Sequence, residues 1–158
     1  MKRKEFIQKS ALVSGGGILS PNFSFLSSGS KIMGANDRIR VGAVGINGMG
    51  WADTKALMKL PGIELVAICD VDQNVLEKRK EEISKKGGNV QTYSDYRQLL
   101  DQKDIDVIVI GSPDHWHALM MIHASEAGKH VYVEKPIGNS IGECRAMCSP
   151  QEHYNHGV

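Results

Sequence analysis

The sequence predicts an α/β fold, a single domain built on a doubly wound parallel sheet, and three observations carry that prediction. From Ile39 onward, short apolar runs alternate with amphipathic stretches, the order of a parallel sheet covered on both faces by helices. The runs are rich in Val and Ile and nearly continuous in apolarity, as strands buried on both sides require. Turn and capping residues stand at the junctions between them.

Taken in order, strands are expected at 39–44, 63–70, 90–93, 107–111 and 130–134, and helices at 49–60, 73–86, 95–100, 116–127 and 141–148. Pro61-Gly62 stops the first helix, because proline cannot continue the backbone hydrogen bonding. Asp72 and Ser94 are placed to cap the second and third helices, and Ser140 with Glu143 has the spacing of a capping box. Gly128 stands where the fourth helix needs a left-handed residue to end.

The 158 residues suit about one domain of ordinary size. Nineteen Lys and Arg against 18 Asp and Glu leave a net charge of +1, which provides no field for nucleic acid or an anionic membrane. With 41% hydrophobic and 23% charged residues, the chain has the composition of a folded globular protein rather than a disordered one. Cys69, Cys144 and Cys148 form no C-x-x-C pair, so they read as reduced structural thiols and no metal site is expected.

Residues 1–36 read differently: a basic start, MKRKEF, then a Gly-broken apolar run, then Ser-rich sequence. That order matches an export signal. The run is too short and interrupted to span a bilayer, which takes about 20 consecutive apolar residues. Arg3, Lys4, Phe6 and Ile7 resemble a twin-arginine signal, which implies a periplasmic destination; the alternative is a disordered cytoplasmic leader.

In a doubly wound sheet the ligand crevice lies beyond the carboxyl ends of the strands. After the first strand comes Gly45-Ile46-Asn47-Gly48-Met49-Gly50, followed directly by helical sequence. A tight glycine turn there lets backbone N–H groups and a helix N-terminus approach a pyrophosphate. Asn47 replaces the middle glycine of G-x-G-x-x-G, and asparagine tolerates left-handed dihedrals better than most residues. The second strand ends at Asp70, 25 residues after Gly45 and near the ~20 expected of an acid that holds the adenosine ribose. Asp72 is the alternative. A carboxylate at that place accepts from the ribose hydroxyls and repels a 2′-phosphate, so the combination predicts a Rossmann-type domain that takes NAD in preference to NADP.

The fourth strand runs into Ser112-Pro113-Asp114-His115-Trp116-His117 and the fifth into Glu134-Lys135-Pro136. The stretch GSPDHWHALMMIHASEAGKHVYVEKP closely resembles the Gfo/Idh/MocA oxidoreductases, which carry a Pro-Asp or Pro-Asn turn, a His in the next helix, then AGKHV and EKP. With the glycine turn, the resemblance covers residues 38–147. It implies that Ser112, Pro113 and Asp114 lie against the nicotinamide half of the cofactor, that Glu134 contacts the cofactor side, and that Lys135 points at the substrate hydroxyl as the catalytic residue. A cation there stabilises a developing alkoxide. The peptide before Pro136 is a candidate for the cis isomer. His115 and His117 look like a metal pair but lack further ligands, and His117 is assigned instead to the cofactor pocket or the helix start. Trp116 is expected to pack, and His123 and His130 to be structural or exposed.

Members of that family continue into a substrate domain that supplies a second catalytic residue and most substrate contacts. The expectation is therefore residues 37–148 as the NAD-binding domain and 149–158 as a tail truncated before the substrate domain. An unpaired sheet edge there invites pairing with another chain, a homo-oligomer included. The resemblance implies hydride transfer on a sugar, polyol or related cyclic hydroxyl compound. The alternatives are an NAD-dependent glycosidase, or an NAD-binding fragment without turnover.

Overall fold

A computed structural model describes residues 38–154, with side chains through Cys148. The expectations for residues 1–36 lie outside the described residues. The strands are β1 (Ile39–Val44), β2 (Ile63–Cys69), β3 (Gln91–Tyr93), β4 (Val107–Ile110) and β5 (His130–Val133). The helices are α1 (Gly48–Leu57), α2 (Gln73–Ser84), α3 (Tyr96–Leu100), α4 (His117–Glu126) and α5 (Ile141–Tyr154), with a 3₁₀ turn over Asp114–Trp116 ahead of α4. All strand pairs are parallel and the order is β3-β2-β1-β4-β5, so the winding direction reverses between β1 and β4. In open α/β sheets that reversal opens the crevice where ligands bind.

Two cores form because strand side chains alternate between the faces of the sheet. Val41, Ala43, Ile68 and Val109 pack against Trp51, Leu76 and Ile83 of α1 and α2. Val44, Ala67, Ile108 and Ile110 face the other way, against Leu99, Leu100, Ala118 and Met121 of α3 and α4. Gly42 belongs to this second side: a Cβ there would come within 2.9 Å of Leu99 Cδ2.

Several boundaries move inward from the expected ones, β2, β4 and β5 each ending one residue earlier, at Cys69, Ile110 and Val133. The third helix is capped by Asp95 rather than Ser94, its carboxylate accepting from the Arg97 amide at 3.0 Å. Asp72 accepts from the Asn74 amide at 2.9 Å, and the Ser140–Glu143 box closes in both directions. Gly128 takes φ +74°, with the Lys129 amide reaching back to the Ala124 carbonyl. The last helix runs past Cys148 to Tyr154, although Pro150 has no N–H to offer the carbonyl one turn back.

Candidate cofactor-binding site

Because the sheet is parallel, the loops that follow β1, β2, β4 and β5 leave from one end. Backbone bonds continue the ladder into them: the Gly45 amide donates to the Cys69 carbonyl, Asp70 to Tyr93, Gly111 to Val44 and Glu134 to Ile110. Residues 45–50, Asp70, 112–114 and 134–136 are therefore anchored along one rim.

The glycine turn is built by contact. A Cβ on Gly45, whose φ is +74°, would lie 2.7 Å from Ser112 Cα, and one on Gly50 would overlap the Gly45 carbonyl and approach Gly111 Cα to 2.9 Å. Gly45, Gly50 and Gly111 thus let the start of α1 rest on the ends of β1 and β4. Gly111 was not singled out by sequence, where it reads as an ordinary strand end. Asn47 departs from expectation, since its φ of −113° is extended and the left-handed residues are Gly45 and Gly48. Its side chain caps α1 instead, Oδ1 accepting from the Gly48 amide at 3.0 Å. Met49 is exposed on the same turn. The Met49 and Gly50 amides in the first turn of α1 have no partner within the helix and suit an anion.

Asp70 stands beside this turn. Its Oδ2 accepts from the Ile46 amide at 3.0 Å and its Oδ1 from the Asp72 amide at 3.1 Å. Each carboxylate oxygen keeps a further lone pair, so the group can still accept from a hydroxyl. Asp72 is occupied in capping α2. The turn is braced from a direction the sequence does not announce: Arg79 Nε on α2 donates to the Ile46 carbonyl at 3.1 Å. The Arg79 guanidinium also lies 4.9 Å from the Trp51 ring and pairs with Glu82 at 2.6 Å.

At the other end, Ser112 Oγ and Asp53 Oδ2 are buried with no hydrogen-bond partner among the described residues. Asp53, on α1, faces Glu134. Burial first, then the nearby Glu134 carboxylate and its charge, raise the Asp53 carboxyl above the usual carboxylate value. Buried polar atoms are ordinarily paired, so two orphans at this rim fit a site built for a polar group from outside the chain. Lys135 and Pro113 are exposed, Asp114 and Glu134 are half-buried, and the Lys135–Pro136 peptide is cis.

His117 is 1% exposed, with Nδ1 2.7 Å from the Pro136 carbonyl and Nε2 2.8 Å from the Ser112 carbonyl. His115 lies instead beside Asp114, its Nδ1 3.6 Å from Oδ1. The two imidazoles therefore do not converge on a common point. His123 is structural, bonded to the Tyr96 hydroxyl at 2.9 Å, while Trp116 is 41% exposed. No helix among the described residues is long and apolar enough to cross a membrane.

Residues 39–155 match the family described as Gfo/Idh/MocA, oxidoreductase family, NAD-binding Rossmann fold. A glycosyl hydrolase family 109 protein of Shewanella pealeana is 31% identical over 99% of this chain and 40% of its own length. An alpha-N-acetylgalactosaminidase of Shewanella oneidensis is 35% identical over 83% of the chain and 33% of its own length. Among solved structures, the myo-inositol 2-dehydrogenase of Lactobacillus plantarum superposes with a TM-score of 0.69 at 32% identity, covering 77% of this chain and 35% of that one. The chain thus spans 33–40% of these relatives. With a matched segment that takes in all five strands and each loop of the rim, the chain belongs to the Gfo/Idh/MocA oxidoreductase family and carries its NAD-binding Rossmann domain.

Proposed function

We propose that the rim holds NAD(H) in one orientation, for hydride exchange at a hydroxyl-bearing carbon of a sugar, polyol or related cyclic compound. The diphosphate rests on the amides that open α1, Asp70 holds the adenosine ribose, and the ring end lies between residues 112–114 and 134–135. The observation that carries this reading is the Asp70–Ile46 hydrogen bond, which puts the acid ending β2 against the turn ending β1.

In this arrangement the protein binds and orients. Asp70 accepts ribose hydroxyls with its remaining lone pairs and repels a 2′-phosphate, which favours NAD over NADP. Ser112 and the Asp53–Glu134 pair supply polar atoms at the ring end. Bound nicotinamide supplies the hydride acceptor or donor. Lys135 holds the substrate hydroxyl with its N–H donors and stabilises the oxygen as it loses its proton.

The carbohydrate-cleaving names of two relatives support a second reading. In that reading the ring hydroxyl is oxidised only transiently, so that the aglycone can be eliminated before the hydride is returned. A dehydrogenase accumulates NADH with its substrate, whereas a glycosidase of this kind shows no net NADH.

Titration with NADH and NADPH, read by emission of exposed Trp116, tests the binding reading. Tighter binding of NADH supports it. Equal affinity removes the role given to Asp70, and binding of neither removes the reading.

A further inference from the structure

The His117 ring has no nitrogen left for a ligand. It opens α4 from a fully buried position, between a loop that follows β4 and a loop that follows β5. Carbonyl oxygens only accept, so each contact, at 2.7 Å and 2.8 Å, is a bond when the facing ring nitrogen carries a proton. Either neutral tautomer ties one loop, and the doubly protonated ring ties both. The bond to Pro136 matters because of what surrounds it. The Glu134 amide is the last of the β5 ladder, and the next anchors are the Asn139 and Ser140 amides on Glu143. Among the described residues, His117 makes the one hydrogen bond that reaches residues 135–138, the segment that carries Lys135.

We propose that His117 is a positioning residue: set between the Ser112 and Pro136 carbonyls, it donates to the Pro136 carbonyl when Nδ1 carries the proton, and so holds Lys135 and the ring end of the site in place. The role rests on the dinucleotide reading above. It differs from general packing in that its influence is confined to one end of the crevice. The glycine turn and Asp70 are hydrogen-bonded to each other and to Arg79, and His117 makes no hydrogen bond to either.

The test compares the 158-residue chain with H117F and H117Q, by amide hydrogen exchange and by titration with NADH and with ADP. ADP carries the adenosine and diphosphate but no nicotinamide. In H117F, exchange at the Asn139 and Ser140 amides, held by Glu143, quickens and NADH binding weakens about 3- to 10-fold, the scale of one lost hydrogen bond, while ADP affinity is unchanged. H117Q recovers part of the loss because its amide still donates. If exchange at Asn139 and Ser140 does not change, or NADH and ADP weaken equally, the role is overturned. A glutamine variant no better than phenylalanine also overturns it, by assigning the effect to ring packing. Should H117F not fold, H117N, too short to span both carbonyls, carries the same comparison. If the unaltered chain binds neither NADH nor ADP, the dinucleotide reading fails, and exchange alone decides whether the bridge exists.

Discussion

Asp70 and Ile46 are joined by a 3.0 Å hydrogen bond from amide to carboxylate, which ties the end of β2 to the turn that follows β1. In the proposed binding mode the same carboxylate is both a brace for the glycine turn and the acceptor for a ribose. Asp70→Ala removes both functions. NADH affinity should fall about tenfold or more, the scale of hydrogen bonds to a charged group, and the preference over NADPH should shrink. Parallel titrations of the variant and the unaltered chain check this; an unchanged NADH-to-NADPH ratio contradicts it.

Gly50 and Gly48 are predicted to differ sharply, although both open α1. A methyl at Gly50 overlaps the Gly45 carbonyl and crowds Gly111, whereas nothing lies within 4 Å of a Cβ at Gly48. Gly50→Ala should cost about 1–3 kcal/mol or more through overpacking and abolish dinucleotide binding. Gly48→Ala, where φ is +49°, carries only left-handed strain of about 1–2 kcal/mol. Urea unfolding of the two variants orders them.

Asp53 gives a pH-dependent prediction. Its folded pKa is raised above 3.8, by burial and then by Glu134. A raised carboxyl contributes stability that is fully present below the unfolded value and is lost as pH rises through the folded one. Above that folded value the Asp53 carboxylate therefore opposes folding. Asp53→Asn should raise Tm slightly at pH 7.5, on the order of 1–3 °C, and the difference should close toward pH 4. Thermal melts across that range check the sign.

The cysteines should separate by reactivity. Cys69 is buried, and burial, followed by the charges of Asp70 and Asp95, pushes its thiol up to about 12. Cys148 is exposed on α5. A thiol reagent at pH 8 should modify Cys148 first and reach Cys69 only when the chain unfolds. Mass mapping after short exposure reads the order.

The parts legible in sequence are those with a local signal. The β-branched runs located five strands to within a residue or so, and Asp72 and the Ser140–Glu143 box announced themselves by spacing. Asn47 was placed correctly in the turn, but its dihedrals were not, because the flanking glycines absorb the positive φ. Ser94 and Asp95 are adjacent cap formers, and only the backbone decides between them. The contacts that brace the site join distant residues: Arg79 to Ile46, Asp53 to Glu134, His117 to Pro136. Periodicity and motif spacing carry no trace of such pairs, since each depends on how α1, α2 and α4 settle on the sheet. Gly111 was hidden for the same reason, its small size being required only once α1 packs against β4.

In the proposed binding mode a dinucleotide lies across the carboxyl ends of β1 and β2, with its phosphates on the start of α1. Amide spectra of the ¹⁵N-labelled chain during NADH titration locate it residue by residue. The largest shifts are expected at Ile46, Asn47, Gly48, Met49, Gly50 and Asp70, with smaller ones at Ser112 and Glu134. Shifts centred at the opposite end of the sheet, around Arg40 and Asp106, or no shifts at all, would contradict it.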